Sequence, residues 1–351
     1  MEIYLVGGAV RDLQMGIAPK DRDYVVVGAT PEMMLGLGYR EVGKDFPVFL
    51  HPQSSDEYAL ARLERKTGVG HTDFSVDIAG VTLEEDLFRR DLTVNAMAMT
   101  ESGSLIDPYG GLADMRSRVL RHVGPAFSED PLRVLRVGRF LARMGPAWSV
   151  HRGTRELMES MVASGSLEAL PFERVWKEVA RGLMEPHPQL MLDLLGPQLG
   201  VFTEVERLRA LSRFNSNHAN ALANAVRANA SLACRFACVF DLTGQAVPAA
   251  IPRAIVAFEQ CARRTAAAGA QRYGGMGASE RLGVIEALDV PRQHERAVEV
   301  VQALGFMHGI DAAELLAGID RVAGLDIGAA LTGVAPAQIK DTVRGLRLSV
   351  V

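Results

Sequence analysis

The chain changes its hydrophobic pattern near residue 110, and this change limits the folds that it can adopt. Before that point lie short β-rich runs separated by turn residues, at Ile3–Val6, Tyr24–Val27, Val48–Leu50 and Tyr58–Ala61. After it, leucine, alanine, arginine and glutamate recur every three or four residues, which is the spacing of an α-helix. We therefore predict an α+β fold, in which a head with a mixed or antiparallel sheet precedes an all-helical remainder.

The helical remainder is itself uneven. Prolines break it into short helices up to about residue 200, and beyond residue 205 the composition becomes rich in alanine. We predict a head at residues 1–112, a helical neck at 113–205 and a helical body and tail at 206–351.

Composition and charge argue against several classes of protein. No run approaches the ~20 apolar residues of a membrane span, and the N-terminus lacks the basic region that begins a signal peptide. The three cysteines do not resemble a disulfide framework, so we expect a reducing, cytoplasmic setting and no membrane partner. The formal net charge is −4, so any nucleic-acid surface must be a local basic patch.

A glycine turn follows the first predicted strand. Gly7 and Gly8 stand between Tyr4–Val6 and a predicted helix that carries Arg11. Glycines let a backbone approach a phosphate closely, and a helix N-terminus offers free N–H groups. We predict that these three residues bind a nucleotide, although a purely structural turn has the same signature.

Two aspartates come directly before the second predicted strand. Asp21 and Asp23 are two residues apart, and in a strand this spacing places side chains on one face. Such close carboxylates repel each other unless a cation lies between them, and Mg²⁺ binds oxygen ligands, water and substrate phosphates. We predict a site for two Mg²⁺ ions here, which activate a hydroxyl nucleophile and stabilise a leaving pyrophosphate. A solvated acidic turn is the alternative.

A third carboxylate is usual in sites of this kind. Glu57 opens the predicted strand Glu57–Ala61 and is our catalytic candidate. A solvated glutamate at a strand end would have the same sequence pattern.

Further charged and glycine-containing segments follow in a fixed order, at Arg62–Lys66, Asp86–Asn95, Asp107–Gly111, Glu129–Arg136 and Glu173–Glu178. Together with the glycine turn and Lys20–Asp23, they resemble the class II tRNA nucleotidyltransferases, the bacterial CCA-adding enzymes, over about residues 1–200. The resemblance implies a polymerase-β-like nucleotidyltransferase head. It also implies addition of CMP, CMP and AMP to the 3′ end of tRNA from CTP and ATP, without a nucleic-acid template.

By this resemblance, the second of these segments contacts the ribose of the nucleotide. Its candidate nucleotide-binding residues are Asp86, Arg89, Arg90, Asp91 and Asn95. A carboxylate can accept a hydrogen bond from a ribose 2′-hydroxyl, and an arginine can bind phosphate oxygens through two donors. An exposed helix start held by salt bridges is the alternative.

Asp130 and Arg133 lie in the segment that the resemblance assigns to base selection, three residues apart on a predicted helix. They present an acceptor beside donors, which matches the amino group and ring nitrogen of cytosine and of adenine. Guanine and uracil present the reverse order and would leave buried polar groups unpaired, at about 1–3 kcal/mol per group. The pair is thus predicted to admit CTP and ATP, whereas an intrahelical ion pair is the alternative.

The same predicted helix continues with Arg136, Arg139 and Arg143 at spacings of three and four. We predict that Arg136 and Arg139 bind the triphosphate, although a solvated basic face is the usual meaning of such a stripe. Basic residues that precede the helix would meet phosphates of the tRNA acceptor stem, namely Arg116, Arg118, Arg121 and His122.

Two regions bear on which variant of the family the chain resembles. Arg62–His71, with Gly68 and Gly70, resembles the flexible loop of enzymes that add all of CCA. Longer relatives carry a metal-dependent HD phosphohydrolase domain, but this chain has no His-Asp dipeptide and has Phe240 where the metal-binding histidine would stand. We predict no phosphatase or cyclic phosphodiesterase activity.

The body and tail are then interpreted as a scaffold for tRNA docking or dimerisation, in a monomer or a homodimer. Three alternatives stay open: a poly(A) polymerase of the same superfamily, an enzyme that adds only CC or only A, and a degenerate RNA-binding module.

Overall fold

The computed structural model describes residues 1–42, 48–66, 74–78, 80–204, 215–240, 251–290 and 292–351. The chain forms two compact units, Met1–Leu170 and Pro171–Val351. The first unit contains the predicted head together with the first part of the predicted neck. The finer boundaries at residues 112 and 205 stay predictions.

A mixed sheet forms the centre of the first unit. The first nine described strands of this unit are β1 (Glu2–Val6), β2 (Asp23–Val27), β3 (Arg40–Val42), β4 (Val48–Leu50), β5 (Glu57–Leu60), β6 (Leu63–Lys66), β7 (Phe74–Asp77), β8 (Ala98–Met99) and β9 (Leu105–Ile106). Among the described residues, seven strands pair in the order β3-β4-β5-β2-β1-β8-β9, and β6 pairs with β7 separately. β2 and β5 run parallel, and the other neighbours run antiparallel. The predicted α+β fold with a mixed sheet is confirmed.

Helices cover this sheet and extend the first unit. They are α1 (Gly8–Gln14), α2 (Pro31–Gly36), α3 (Leu83–Phe88), α4 (Gly111–Ser117), α5 (Leu132–Met144) and α6 (Arg152–Ala163). Between them, β10 (Val119–Leu120) and β11 (Ser149–Val150) form a short parallel pair. α3 begins at a capping box, in which Thr82 and Glu85 satisfy each other's backbone N–H groups.

Strand β2 divides its side chains between two apolar cores. Val25 packs with Val6 and Leu87 on one face, whereas Val26 packs with Phe49 on the other. A register slip of one residue would exchange the two faces, so this alternation fixes the strand in place. Asp23 precedes Val25 by two residues and therefore starts the strand on the face that α3 covers.

The described residues of the second unit form helices and turns. The helices are α7 (Phe172–Met184), α8 (Pro188–Asp193), α9 (Val201–Glu204), α10 (Ser216–Arg227), α11 (Leu232–Val239), α12 (Arg253–Ala267), α13 (Ala278–Ala287), α14 (His294–His308), α15 (Ala313–Ala323), α16 (Ile327–Ala330) and α17 (Ile339–Leu348). Asn215 caps α10 and Ser231 caps α11 through their side-chain oxygens. Within the ranges given above, no helix is both long and apolar enough to cross a bilayer.

An aromatic cluster lies in the core of this second unit. Phe240 is buried and stacks on Phe236 with ring centroids 3.9 Å apart, and Trp176 meets Phe236 edge-on at 5.6 Å. The position that Phe240 occupies therefore serves packing. Asp241, which follows it, and the loop residues Gly68, Gly70 and His71 lie outside the described residues.

Candidate active site

The glycine turn joins β1 to α1. Gly7 has φ +69°, a conformation that residues with a side chain rarely adopt, and its N–H donates to the carbonyl of Met97 at 3.2 Å. A Cβ atom at Gly7 would lie 2.9 Å from Nη1 of Arg90. The backbone conformation thus favours glycine here, and the end of the Arg90 side chain lies close against the turn. Gly8 follows as the first residue of α1.

The two candidate metal-binding aspartates lie at the start of β2. The expectation that they share one strand is wrong, because β2 begins at Asp23 and Asp21 lies in the preceding bend. They are nevertheless neighbours. Partial burial raises the pKa of the Asp23 carboxylate, the positive charge of Arg90 lowers it, and the negative charge of Asp21 raises it further. The net shift is upward, so Asp23 carries a destabilised negative charge.

Glu57 lies beside this pair in the sheet. It opens β5 and is the register partner of Asp23 across the parallel β2–β5 pair. Its role as a third carboxylate stays a prediction.

The donor set fits a divalent cation held partly by substrate. In the described part of the chain, no cluster of three or more histidine, cysteine, aspartate or glutamate side chains surrounds one ion position. Mg²⁺ does not need such a cluster, because it commonly uses one or two carboxylates and completes its shell with water and phosphates. A cation beside Asp21 and Asp23 would relieve the repulsion that raises the pKa of Asp23.

Asp86 lies beneath the arginines that follow α3. Its side chain is fully buried, with Oδ1 3.1 Å from Nη2 of Arg89 and Oδ2 3.2 Å from Nη2 of Arg90. Burial alone would raise the pKa of Asp86, but the charges of Arg90 and Arg89 lower it. In this structure Asp86 therefore orients two arginines. Arg90 connects Asp86 to the glycine turn, and its Nε has no hydrogen-bond partner within the described residues.

Arg11, Asp91 and Asn95, all predicted to bind nucleotide, lie in the interior and bind one another. Arg11 is 2% exposed; its Nη1 donates to Oδ1 of Asn95 at 2.5 Å, and its Nε and Nη2 donate to Oδ1 of Asp12 at 3.0 and 2.8 Å. Nδ2 of Asn95 donates to Oδ1 of Asp91 at 3.1 Å. These contacts use the polar groups that we expected to face a nucleotide, so they indicate a supporting position behind the turn.

Helix α5 binds both ends of this arrangement. Nη2 of Arg136 lies 2.7 Å from Oδ2 of Asp91, and Nη2 of Arg143 lies 2.7 Å from Oδ2 of Asp12. Six residues thus form a chain of side-chain contacts whose two ends lie on α5, so that the helix itself closes it. We call this arrangement the buried ring: Arg136, Asp91, Asn95, Arg11, Asp12 and Arg143. The guanidinium groups of Arg11, Arg136 and Arg139 also lie 5.4, 5.6 and 4.6 Å from the centre of the Phe140 ring.

The predicted base-selecting pair lies at the N-terminus of α5. The expectation that both residues belong to one helix is wrong: Asp130 is extended, and its Oδ1 accepts the N–H of Leu132 at 3.1 Å. Arg133 is in the first turn of α5, where its Nη1 donates to the carbonyl of Ala126 at 2.8 Å and its Nη2 to that of Arg89 at 2.6 Å. Burial lowers the pKa of Arg133, whereas Asp91 and Asp130 raise it. Asp130 and Arg133 are thus electrostatic neighbours, although one lies in the extended segment before α5 and the other lies in α5.

The structure brings together more than the sequence reasoning identified. Asp12 and Arg143 were not among our candidate nucleotide-binding or catalytic residues, yet they close the buried ring. Two signals pointed to them. Asp12 directly follows Arg11, and Arg143 lies seven residues after Arg136, which places both arginines on one face of a helix.

Comparison with known proteins identifies similarity to a family of head domains and to longer relatives of the whole chain. The family model described as "Poly A polymerase head domain" matches residues 3–121. The CCA-adding enzyme of Bordetella bronchiseptica is 44% identical over 354 residues, covering 99% of this chain and 95% of that protein. The multifunctional CCA protein of Nitrosomonas europaea is 57% identical over 212 residues, covering 59% of this chain. The match spans only 51% of that longer protein.

Solved structures agree with the fold. The Thermotoga maritima CCA-adding enzyme complexed with tRNA has a TM-score of 0.69 at 20% identity, covering 99% of this chain and 87% of that one. The Bacillus stearothermophilus CCA-adding enzyme in complex with CTP has a TM-score of 0.65 at 23% identity, covering 99% and 88%. The near-complete match to the Bordetella protein goes beyond fold. This chain therefore belongs to the family of CCA-adding enzymes.

Proposed function

We propose that the chain adds CCA to the 3′ end of tRNA by transferring CMP, CMP and AMP from CTP and ATP, with release of pyrophosphate. The observation that carries this proposal is the juxtaposition of Asp21 and Asp23 with the glycine turn and Arg90. The near full-length similarity to a protein named CCA-adding enzyme supports it. The tRNA and CTP complexes of structural neighbours support the choice of substrates.

In this proposal Asp21 and Asp23 hold Mg²⁺. Two such ions would supply Lewis-acid activation of the terminal hydroxyl of tRNA and charge stabilisation of the departing pyrophosphate. The turn at Gly7 and Gly8 lets the triphosphate approach the backbone, and Arg90 offers positive charge beside it. Asp86 keeps Arg90 and Arg89 oriented, which prepares both for a charge that develops during transfer.

Asp130 and Arg133 select the base. The pair presents a carboxylate acceptor beside guanidinium donors, complementary to the polar edges of cytosine and adenine. The side chain of Arg133 donates hydrogen bonds to the carbonyls of Ala126 and Arg89. These bonds hold it next to the two arginines that follow α3. One pair can thus serve both CTP and ATP, while GTP and UTP would leave polar groups unpaired.

The tRNA acceptor end is the proposed partner, bound through phosphates by the basic residues before α5. Arg121 already forms an ion pair within the protein, since its Nε lies 3.0 Å from Oδ2 of the buried Asp114. Arg116 and Arg118 precede it at the end of α4. The three cysteines are free and buried, which suits the proposed cytoplasmic setting. Docking of tRNA or of a second copy on the second unit belongs to the same proposal.

Polyadenylation is the second candidate, because the matching family model is named after the poly(A) polymerase head. A single-nucleotide extension assay separates the two. With tRNA lacking CCA, we expect incorporation from CTP alone and no extension from ATP alone. Incorporation from ATP alone onto an RNA without a tRNA fold, with no use of CTP, would favour polyadenylation and contradict the proposal.

A further inference from the structure

We propose that the buried ring sets the position of the base-selecting pair, and that Asp12 and Arg143 are positioning residues for nucleotide selection. This inference rests on the proposed function. It adds two residues that do not touch the nucleotide and assigns them an effect on which nucleotide is accepted.

The ring fastens one face of α5 at two points. Arg136 and Arg143 are seven residues apart, so they project from the same side of the helix about two turns from each other. Arg136 pairs with Asp91, and Arg143 pairs with Asp12, each at 2.7 Å. Two charged contacts on one face resist both sliding and rotation of the helix, which a single contact would not.

The other members of the ring adjoin the proposed phosphate-binding groups. Arg11 lies in α1, three residues after Gly8, and Asp91 directly follows Arg90. Arg11 and Asp91 are connected through Asn95, with hydrogen bonds of 2.5 and 3.1 Å. The ring therefore ties α5 to the elements that carry the glycine turn and Arg90.

The base-selecting pair lies immediately upstream of these contacts. Arg133 is in the first turn of α5, three residues before Arg136, and Asp130 lies just before the helix, where its Oδ1 accepts the N–H of Leu132. A displacement of α5 would therefore alter the distance between the groups that recognise the base and those that bind the phosphates. A shift of about 1 Å in such a geometry can change a rate ~100-fold without any loss of a direct contact.

Burial explains why the ring can hold this position. Asp12, Asp91 and Asn95 are each 6% exposed and Arg11 is 2% exposed, so their contacts compete little with water. The two arginines of α5 are the accessible members, with 33% of the Arg136 side chain and 36% of the Arg143 side chain exposed. Substitution at Arg143 therefore removes one fastening point while leaving the interior of the ring in place.

The test compares Arg143→Gln, Arg143→Lys and Asp12→Asn with the wild type. The matched control is Arg152→Gln, which removes an arginine from an exposed ion pair with Glu156 in the same unit. Two quantities are measured: the ratio of kcat/KM for CTP to that for UTP on tRNA lacking CCA, and the ratio of the Kd for UTP to the Kd for CTP without tRNA. Thermal unfolding identifies a variant that does not fold, in which case the two Arg143 variants carry the test.

We expect Arg143→Gln to lower both ratios about tenfold, with KM for tRNA changed less than about twofold. Arg143→Lys should recover part of the loss, because it restores a positive charge without the second donor. Arg152→Gln should match the wild type. Unchanged ratios in Arg143→Gln, or a slower rate at an unchanged CTP preference, would overturn the inference. A wild type that binds CTP selectively but adds no CMP would instead contradict the proposed function, and the Kd ratios would still test the ring.

Discussion

Nη2 of Arg136 lies 2.7 Å from Oδ2 of Asp91, a contact that joins α5 to the segment after α3 across 45 residues of sequence. Burial alone would raise the pKa of Asp91, but Arg136 and the hydrogen bond from Asn95 lower it to about 2. A carboxylate whose pKa is depressed in the folded state contributes stability above its unfolded pKa of 3.8. That contribution disappears as the pH falls toward about 2.

The first prediction concerns this pair. From the shift in the pKa of Asp91, ionisation contributes about 2 kcal/mol to the free energy of unfolding at neutral pH. Asp91→Asn removes it and takes the carboxylate away from Arg136, so we expect a total loss of about 3–5 kcal/mol near pH 7. Urea unfolding in a Trp176→Phe background measures it, since Trp148 then reports on the first unit.

The difference between the wild type and Asp91→Asn should shrink as the pH is lowered from 6 to 3. Asp311→Asn, a substitution in the second unit, provides the control and should leave the unfolding of the first unit unchanged. A difference that stays constant over this range would show that Asp91 is not ionised against Arg136 in the folded protein.

The second prediction concerns the charges around Asp23. Asp21→Asn removes a negative neighbour and should lower the pKa of Asp23, whereas Arg90→Gln removes a positive one and should raise it. The carboxyl ¹³C shift of Asp23, followed by NMR against pH without metal, measures both changes. Shifts in the opposite directions would contradict the arrangement of these three side chains. Because a protonated carboxyl is a poor ligand, Mn²⁺ binding should weaken at a higher pH than for an aspartate of ordinary pKa.

The third prediction separates Glu57 from the aspartates. Glu57 opens β5 as the register partner of Asp23, whereas Asp21 and Asp23 are electrostatic neighbours at the start of β2. We expect Asp23→Asn to abolish transfer at any Mg²⁺ concentration. We expect Glu57→Gln to raise the Mg²⁺ concentration for half-maximal rate up to about tenfold, with the rate recovered at saturation. Extension rates measured over a Mg²⁺ titration compare the two. A loss in Glu57→Gln that excess Mg²⁺ does not rescue would place Glu57 among the direct ligands.

The fourth prediction concerns the second unit. Phe240 stacks on Phe236 at 3.9 Å and is buried, so Phe240→Ala should cost about 3–5 kcal/mol of stability.

The wild type should not hydrolyse 2′,3′-cyclic AMP with Mg²⁺ or Ni²⁺. Product formation is measured by chromatography beside a phosphodiesterase as the positive control. Robust metal-dependent hydrolysis by the wild type would contradict the interpretation of this region as a scaffold.

Local patterns in the sequence predicted the main elements of the head. The alternation of Tyr24–Val27 identified β2, and the glycines after Tyr4–Val6 located the turn, because each pattern reflects a local backbone requirement. Pro131 could also have predicted the extended backbone of Asp130, since a residue before proline is disfavoured in a helix. That signal argues against the placement of Asp130 and Arg133 on one helix.

Local sequence patterns could not predict which charged residues pair with each other. Arg11, Asp91 and Asn95 stand in segments that suggest nucleotide contacts, and nothing in their spacing reveals that they are buried against each other. The partner of Asp12 is Arg143, 131 residues away, so the ion pair exists only once α1 and α5 are packed. Sequence therefore indicated the segments in which charged residues cluster, and the fold showed which of those residues are buried against each other.

The most direct test of the proposed function is stepwise extension of three tRNAs that end before CCA, after the first C and after the second C. Each is incubated with CTP, ATP or both, using the wild type and Asp23→Asn, and the 3′ ends are sequenced. We predict that the wild type adds CC from CTP to the first, C to the second and A from ATP only to the third. Asp23→Asn should add nothing while binding tRNA normally. Extension by Asp23→Asn at the wild-type rate, or a wild type that adds nucleotides irrespective of the existing end, would contradict the account.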